Sequence, residues 1–317
     1  MLHFSLILVN SNTTRCRLLY EQRLFQKAGM IVKKFLLLGY SDSAILFRTI
    51  PGNTMRKDPQ ARILRKHNWG NYFLLTLESP DISAEAQPGQ FLMVRVSDSS
   101  FPLLRRPFSI HAANQNRLEI FFQTIGVGTT QLSRKEEGDL LDILGPLGRG
   151  FSLDLEDSST EVALVGGGRG IAPLYFLADV LRKRGTGARV YYGGKTAQDL
   201  PLRDKFHDLG FPLRCATEDG SWGDKGLITD CLIQDLNTNP PGCIFACGPE
   251  GMLQRLAQIS QEQALPAQLS LEAIMGCGFG ACWGCVLRLK KDHEAGWHKI
   301  CEEGPVFPAE VIVWGKE

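Results

Sequence analysis

Four cysteines near the C-terminal end of the chain have a spacing that suits a metal centre. Cys277, Cys282 and Cys285 follow the pattern C-x4-C-x2-C, and Cys301 comes after fifteen further residues. Small residues, mostly glycine, separate the first three, so the backbone there can adopt left-handed conformations and turn its N–H groups toward sulfur. Four thiolates on a loop of this kind are typical of a [2Fe-2S] cluster.

Zinc is the main alternative for these cysteines, because it also accepts four thiolates. Zinc ribbons usually present two short cysteine pairs, whereas this chain has one C-x2-C pair with a single cysteine on each side. The spacing therefore favours the iron–sulfur cluster and leaves zinc as the second choice. A disulfide is disfavoured because the sequence shows no feature of a secreted chain.

Composition limits the classes of function. A length of 317 residues predicts two or three domains, and 44% hydrophobic residues are enough for real cores. The net charge of +1 does not indicate nucleic acid or an anionic membrane as a partner. No run of about eighteen apolar residues occurs, so no membrane-spanning helix is predicted. Nine cysteines indicate a reducing compartment, and we expect the cytoplasm.

Residues 1–58 have no sustained periodicity, and we predict an extension of doubtful order or translation there. The apolar stretch Phe4–Val9 is too short for a signal peptide and lacks a basic start and a cleavage site. A regular pattern begins near Ala61, soon after Met55. One hypothesis is that Met55 is the true start of translation, and the alternative is a real but poorly ordered extension.

Residues 59–153 form the first predicted domain, an antiparallel barrel or sandwich of short strands. Five segments rich in β-forming residues are bounded by Gly, Pro, Asn or Asp. They are Ala61–His67, Asn71–Glu78, Gln90–Ser97, Arg117–Ile125 and Leu140–Leu144. A further strand is expected to begin at Arg105-Arg106-Pro107-Phe108-Ser109.

Two features of this domain suggest an anionic ligand. Arg105 and Arg106 are adjacent, and guanidinium groups pair bidentately with phosphate. Gly126-Val127-Gly128-Thr129-Thr130 follows a strand and opens a predicted helix, Thr129–Arg134, whose N-terminus suits an anion. Each signal is weak alone, and a solvated arginine pair is the alternative. Together they suit a cofactor that carries a pyrophosphate.

Residues 154–265 form the second predicted domain, in which strands alternate with helices as in a parallel sheet. The predicted strands are Glu161–Val165, Arg189–Tyr192, Leu213–Thr217 and Cys243–Ala246; the helices are Ile171–Lys183, Asp199–Leu209, Gly226–Leu236 and Glu250–Ala264. Three special segments, 166–170, 217–221 and 247–252, fall at carboxyl ends of strands. Ligands bind at those ends, so the pattern predicts a dinucleotide site.

Residues 266–317 form the third predicted domain, which holds the cysteine loop. A hairpin of Val286–Leu289 and Trp297–Ile300 would carry Cys301 back to the loop, and Val311–Trp314 is predicted as a last strand. A unit of about fifty residues would be marginally stable without its metal. The fold class is thus multidomain α+β: an antiparallel β-barrel, an α/β parallel-sheet domain and a small C-terminal [2Fe-2S] domain.

This order of domains resembles the ferredoxin reductase superfamily. Arg106-Pro107-Phe108-Ser109 is similar to its flavin motif R-x-[YF]-[ST], and Cys247-Gly248-Pro249-Glu250-Gly251-Met252 is similar to its C-G-P-x-x-M. The added cysteine pattern, with Thr217–Ser221 and Cys301–Phe307, resembles the family of electron transfer subunits of type B dihydroorotate dehydrogenases. The resemblance covers about residues 60–317.

The resemblance implies site residues. For FAD they are Arg106, Pro107, Phe108 and Ser109, with Gly128, Thr129 and Thr130 completing the phosphate site. For NAD(H) they are Gly166, Gly167, Gly168, Cys247, Gly248 and Pro249, although Cys247 could instead be a small buried thiol that only packs. For the cluster they are Cys277, Cys282, Cys285 and Cys301. No acid–base residue is implied.

The resemblance also implies a partner and a direction of electron flow. Dihydroorotate would become orotate on an FMN-containing catalytic subunit, in a heterotetramer of two copies of each chain. Electrons would pass from there to the cluster, then to FAD and then to NAD+, because a flavin exchanges both single electrons and hydride. The choice between NADH and NADPH stays open, because Lys195 could either pair with a 2′-phosphate or be solvated.

Two other functions are compatible with the sequence. One is the flavin and iron–sulfur diaphorase subunit of a hydrogenase or of an NADH:ferredoxin transhydrogenase complex, in which only the partner would differ. The other is a zinc-binding scaffold without redox activity. Flavin and iron–sulfur absorbance distinguishes the redox proteins from the scaffold.

Overall fold

The computed structural model describes residues 55–97, 99–154, 161–291 and 294–315. Nearly all of the extension predicted for residues 1–58 lies outside the described residues. The hypothesis about its translation concerns those same residues. Met55 is partly buried and packs against the hydrophobic core, and the first strand begins at Arg56, five residues before the predicted start at Ala61.

The first part of the chain is a closed barrel of six antiparallel strands, as predicted. The strands are β1 (Arg56–Trp69), β2 (Tyr72–Glu78), β3 (Phe91–Arg95), β4 (Arg106–Asn114), β5 (Arg117–Gln123) and β6 (Leu140–Leu147). They pair in the order β1-β2-β5-β4-β3-β6. Alternate side chains such as Ile63, Leu75 and Ile120 fill the interior, since successive side chains of a strand point to opposite faces. Two short helices, α1 (Pro80–Glu85) and α2 (Val127–Ser133), complete the barrel.

The second part is an α/β arrangement with a mainly parallel sheet. Its strands are β7 (Val162–Gly167), β8 (Ala188–Gly194), β9 (Leu213–Thr217), β10 (Asp224–Lys225), β11 (Ile244–Cys247) and β12 (Ala267–Ser270). Its helices are α3 (Ala172–Arg184), α4 (Arg203–Asp208), α5 (Ile228–Leu236) and α6 (Glu250–Glu262). The predicted helix Asp199–Leu209 is shorter than expected, because Ala197–Asp199 forms a separate 3-10 turn before α4.

The strand order places the loops that follow β7 and β11 side by side. The sheet runs β10-β9-β8-β7-β11-β12, and a last strand described below adds to its edge. Strands are added on one side of β7 up to β10 and on the other side from β11 onward, so the strand order reverses at β7. Its two neighbours, β8 and β11, both pair with it in parallel. Crevices form at the carboxyl ends of strands at such a reversal, and they are the usual ligand site of open α/β sheets.

The C-terminal part contains the cysteine loop, a hairpin of β13 (Val286–Lys291) and β14 (Glu294–Lys299), the short helix α7 (Ile300–Glu303) and β15 (Val306–Pro308). The expected strand Val311–Trp314 is wrong. Ala309–Val311 forms a 3-10 turn, and Ile312 makes a single bridge to Leu289. Three residues of β15 pair antiparallel with β12 instead, because the hairpin and α7 return the chain to the open sheet edge.

The sheet crosses the boundary that we predict at residue 265. β12 pairs with β11 in parallel, and β15 extends the same sheet, so the segments that flank the cysteine loop share a core with the α/β part. Division of the chain at 58, 153 and 265 stays a prediction. None of the described helices has the length and apolar character needed to cross a membrane.

Candidate functional site

The four cysteines of the loop meet as two pairs. The thiols of Cys277 and Cys282 are within hydrogen-bonding distance of each other. The thiols of Cys285 and Cys301 form the second pair, and the Cys301 backbone N–H also donates to Cys285 Sγ at 3.4 Å. Only two residues separate Cys282 of the first pair from Cys285 of the second.

Backbone N–H groups solvate the sulfurs. Gly280 N–H donates to Cys301 Sγ at 3.1 Å. Backbone N–H groups of Gly284 and Cys277 bond to Cys282 Sγ and lower the pKa of that exposed thiol to about 7. Burial raises the pKa of Cys301, and its hydrogen bond with Cys285 adds to the rise. The surroundings of Cys282 therefore favour the thiolate, which is the metal-binding form of cysteine, whereas those of Cys301 favour the neutral thiol.

This arrangement fits two irons better than one zinc. A zinc site needs four sulfurs at roughly 2.3 Å from a single point. A [2Fe-2S] cluster takes two thiolates on each iron, so two separate pairs of sulfurs suit it.

Positive φ angles bring the cysteine loop against the barrel. Gly278 has a φ of +85° and Gly280 has a φ of +86°, a region that glycine adopts without strain. A Cβ on Gly278 would lie 2.3 Å from Met93 Cγ of β3. The loop therefore touches the barrel wall, and Met275, two residues before Cys277, lines a cavity beside that wall.

This cavity, which we call the barrel cavity, has a volume of about 270 Å³ and lies between the barrel and the sheet. Its wall includes the four residues of the predicted flavin motif together with Thr129: Arg106, Pro107, Phe108, Ser109 and Thr129. Phe91, Phe121 and Phe122 add aromatic surface from neighbouring strands. The cavity thus combines apolar walls with a guanidinium and a hydroxyl, which suits a flat ring attached to an anionic tail.

The two adjacent arginines have different environments. Arg105 donates to the Asp142 carboxylate and to its backbone carbonyl, both at 2.6 Å, and these bonds fix it to β6. Arg106 lines the cavity, where its guanidinium donates to the Leu104 carbonyl at 2.6 Å. Arg105 lies just before β4 and does not line the barrel cavity, so the expectation of a joint anion site of both arginines is wrong.

The glycine segment at the start of α2 leaves room for Arg106. A Cβ on Gly128 would lie 3.0 Å from Arg106 Nε, so glycine leaves room for the guanidinium. Thr129 Oγ1 accepts hydrogen bonds from the N–H groups of Ile125 and Gly126, at 2.9 and 3.2 Å. Thr130 does not line the barrel cavity, and its N–H donates to the Gly126 carbonyl within the helix.

A second cavity, the sheet cavity, has a volume of about 600 Å³ and lies over the carboxyl ends of the parallel strands. Four of the residues predicted to bind NAD(H) line it: Gly167, Gly168, Gly248 and Pro249. Gly166 does not line the cavity. Glycine is needed there for close packing, because a Cβ would lie 2.4 Å from Ile171 Cδ1.

Cys247 lines the barrel cavity and not the sheet cavity. Its thiol is buried and hydrogen bonds with Ser270, and burial raises its pKa to about 12. It therefore stays a neutral thiol at the wall between the strands and the cavity. Its position agrees with the interpretation of a small packed thiol, and it does not line the cavity predicted for NAD(H).

Several residues of the cleft are not predicted from the sequence. Three of them, Gln123, Arg169 and Glu272, line both cavities, so the two cavities are one continuous cleft. Arg169 and Glu272 form an ion pair of 3.0 Å. The only sequence feature that could indicate Arg169 is its position within the glycine segment. For Glu272 it is the position shortly before the cysteine loop.

Two family models match this chain. The iron–sulfur cluster binding domain of dihydroorotate dehydrogenase B matches residues 272–313. An oxidoreductase NAD-binding domain matches residues 164–258. The first covers all four cysteines and the second covers the glycine segment, Gly248 and Pro249.

Curated relatives are similar over most of their own length. The dihydroorotate dehydrogenase B (NAD(+)) electron transfer subunit of Desulforamulus reducens is 36% identical over 246 residues, 77% of this chain and 93% of that protein. The subunit with the same name from Bacillus caldolyticus is 40% identical over 241 residues, 75% of this chain and 91% of that protein.

Among solved structures, an NADH-dependent reduced ferredoxin-NADP oxidoreductase is 29% identical, with a TM-score of 0.72 over 80% of this chain and 90% of that one. A ferredoxin NADP+ reductase from Neisseria gonorrhoeae, with FAD and NADP bound, has the same fold at 19% identity. Its TM-score is 0.55 over 66% of this chain and 91% of that one.

Proposed function

This chain belongs to the family of dihydroorotate dehydrogenase B electron transfer subunits, and we propose that it carries electrons between a catalytic partner subunit and NAD+. The partner holds FMN and converts dihydroorotate to orotate for pyrimidine biosynthesis. The electrons pass through a [2Fe-2S] cluster and FAD on this chain. We place the complex in the cytoplasm as a heterotetramer of two copies of each subunit, in line with the absence of a membrane-spanning helix from the described residues.

The main support for the proposal is that the sheet cavity, the barrel cavity and the cysteine loop adjoin one another. The sheet cavity and the barrel cavity share a wall, and the segment that enters the cysteine loop lines the barrel cavity through Met275. Because Gly278 of the loop packs on Met93 of β3, the cysteine loop lies against the barrel wall and not on a separate arm. A flavin in the barrel cavity would have the dinucleotide on one side and the cluster on the other.

The bound cofactors supply the redox chemistry: FAD exchanges hydride with NAD(H) and single electrons with the cluster. This chain supplies placement and charge. Arg106 offers a guanidinium to the FAD pyrophosphate, and Gly128 leaves space for it. Phe108 forms the floor of the cavity from the barrel core, and Ser109 supplies the hydroxyl at its wall.

The exposed side of the cysteine loop suits a protein partner. Cys282 is exposed, whereas Cys285 and Cys301 are buried. Trp283 and Trp297 are 58% and 63% exposed, which is unusual for large aromatic side chains on a protein surface. Exposed aromatic residues are enriched at interfaces, so we propose that this face meets the catalytic subunit.

Purification of the native complex tests the proposal. We expect a co-purifying FMN protein, flavin and iron–sulfur absorbance, and reduction of NAD+ when dihydroorotate is added. Acid-labile sulfide with iron and without zinc is expected in the isolated subunit. A zinc-loaded, colourless protein would support the scaffold alternative and contradict the proposal.

The second candidate is a subunit of an NADH:ferredoxin transhydrogenase complex, and the likeness to a ferredoxin-NADP oxidoreductase favours it specifically. Identity of 36–40% to the dihydroorotate dehydrogenase B subunits exceeds the 29% identity to that structure, which favours the orotate function. Reduced ferredoxin as the electron donor in the same assay, or a hydrogenase subunit in the purified complex, would identify the alternatives.

A further inference from the structure

Arg169 and Glu272 lie where the two cavities meet. Both line the sheet cavity and the barrel cavity, and Nη2 of Arg169 lies 3.0 Å from Oε2 of Glu272. Arg169 follows β7, and Glu272 comes two residues after β12. A dinucleotide that extends from the sheet cavity toward a flavin therefore comes close to this ion pair.

The backbone of Arg169 is fixed, whereas its side chain can move. Gly170 packs so closely on β11 that a Cβ would lie 2.4 Å from the Cys247 carbonyl oxygen. Gly168 has a φ of +53°, and a Cβ there would meet no atom within 4 Å. The Arg169 side chain thus extends from a rigid turn, and 43% of it is exposed.

The ion pair is weak enough to exchange its partner. The Glu272 side chain is 51% exposed, and exposed pairs contribute little because water and salt screen them. A pyrophosphate offers Arg169 bidentate charge-assisted hydrogen bonds, which are stronger. The other acidic groups of the sheet cavity are Asp199, which accepts a hydrogen bond from Tyr72, and Glu218. Among the described residues of this cavity, Glu272 is the carboxylate that forms an ion pair with Arg169.

We propose that Glu272 is an internal counter-ion that competes with the pyrophosphate of NAD(H) for Arg169. The proposal rests on the proposed function, in which NAD(H) occupies the sheet cavity. In the empty cleft Arg169 binds Glu272; on entry of the dinucleotide the guanidinium transfers to phosphate oxygens. When the nucleotide leaves, Glu272 takes the guanidinium back. Arg169 is thus a binding residue, and Glu272 is a positioning residue that limits affinity and favours release.

Equilibrium binding of NAD+ to the FAD-loaded subunit tests this, by calorimetry on Glu272→Gln, Arg169→Gln and the double variant. We expect Glu272→Gln to lower the Kd about two- to fivefold, since it removes an exposed competitor. Arg169→Gln should raise the Kd about tenfold or more. The double variant should match Arg169→Gln, because Glu272 acts only through that guanidinium.

Asp179→Asn is the matched control. It removes one carboxylate that pairs with Arg182 on the exposed face of α3, away from both cavities, and it should leave the Kd unchanged. A Kd that is unchanged or higher in Glu272→Gln would overturn the proposal. So would tightening that persists in the double variant, or loss of FAD from Arg169→Gln. If the unaltered subunit binds no NAD+, the proposed function itself is wrong.

Discussion

The Tyr72 hydroxyl donates a hydrogen bond of 2.7 Å to Asp199 Oδ1 and so joins the barrel to the nucleotide-binding sheet. Tyr72 is the first residue of β2, and Asp199 closes the turn after β8, 127 positions later. Both line the sheet cavity, so the bond fixes the distance between its two walls.

Tyr72→Phe should therefore affect both stability and nucleotide binding. A hydrogen bond to a carboxylate is worth about 1.5–3 kcal/mol, and we expect a loss in this range in urea unfolding. The KM for NADH should rise several-fold, because the cavity walls lose a fixed spacing. Tyr191→Phe is the control, since its hydroxyl bonds to Asp235 at 2.8 Å within the α/β part. It should lose similar stability and keep the KM; an equal rise in both variants would contradict the role of Tyr72.

The adjacent arginines give a second matched pair. Arg106→Gln should raise the Kd for FAD by about 10- to 100-fold, the effect of one lost charge-assisted bond. Arg105→Gln should keep FAD and lower the melting temperature, because it leaves the Asp142 carboxylate without its 2.6 Å partner. Fluorescence titration of the FAD-free protein measures the first effect and thermal unfolding the second. Loss of FAD from both variants would mean that both arginines contribute to FAD binding.

Electron transfer beyond the flavin should depend on Cys282. Cys282→Ser removes one exposed thiolate, and we expect dihydroorotate-dependent NAD+ reduction in the complex to fall by at least ~100-fold as the cluster is lost or altered. Reduction of bound FAD by NADH should largely survive, because the sheet cavity and the barrel cavity are untouched. Stopped-flow absorbance separates the two. Loss of flavin reduction in a folded variant would show that the cluster lies before FAD in the path from NADH.

The sequence predicts those features of the molecule that depend on residues close together in the chain. The cysteine spacing, the barrel and the strand Leu213–Thr217 depend on short patterns, and the structure has that strand at the predicted residues. Gly166 and Thr130 belong to local motifs as well, yet they do not line the cavities, because one packs on Ile171 and the other continues a helix. A motif locates a loop, whereas packing decides which of its atoms face the ligand.

Features made by distant residues could not be predicted. Arg169 and Glu272 are 103 positions apart and meet only because β11 lies between β7 and β12. Strand β15 has three residues and no periodicity of its own, so its pairing with β12 depends on where the hairpin and α7 place it. Such contacts follow from strand order, which no local pattern in this chain specifies.

The contact between the cysteine loop and the barrel predicts an effect of Gly278→Ala. A Cβ would lie 2.3 Å from Met93 Cγ, and the φ of +85° is strained for alanine. Strain and overpacking together should cost about 2–4 kcal/mol. We expect reduced iron content by colorimetric assay, with FAD retained. Gly187→Ala is the control, because its Cβ would make only ordinary contacts from 3.6 Å; equal iron loss there would contradict a specific contact.

A buried histidine should make stability depend on pH. His111 lies at the barrel surface that faces α3, where its Nδ1 is 3.0 Å from the Ala172 carbonyl and its ring stacks on Tyr175. Burial lowers the pKa of His111 to about 3, and the positive charge of Lys205 contributes. The unfolded chain, with a histidine pKa near 6.5, binds a proton that the folded chain excludes. The stabilisation is complete above pH 6.5 and is lost as the pH falls toward 3.

Between these limits the free energy of unfolding should fall by up to about 1.4 kcal/mol per pH unit from this group alone. Urea unfolding at pH 7, 6 and 5 measures the slope, and His111→Gln should flatten it by that amount. Other groups titrate in the same range, so the difference between variant and unaltered protein is the relevant quantity. His207→Gln on exposed α4 is the control and should keep the slope. Equal slopes in His111→Gln and the unaltered protein would mean that His111 accepts a proton in the folded state.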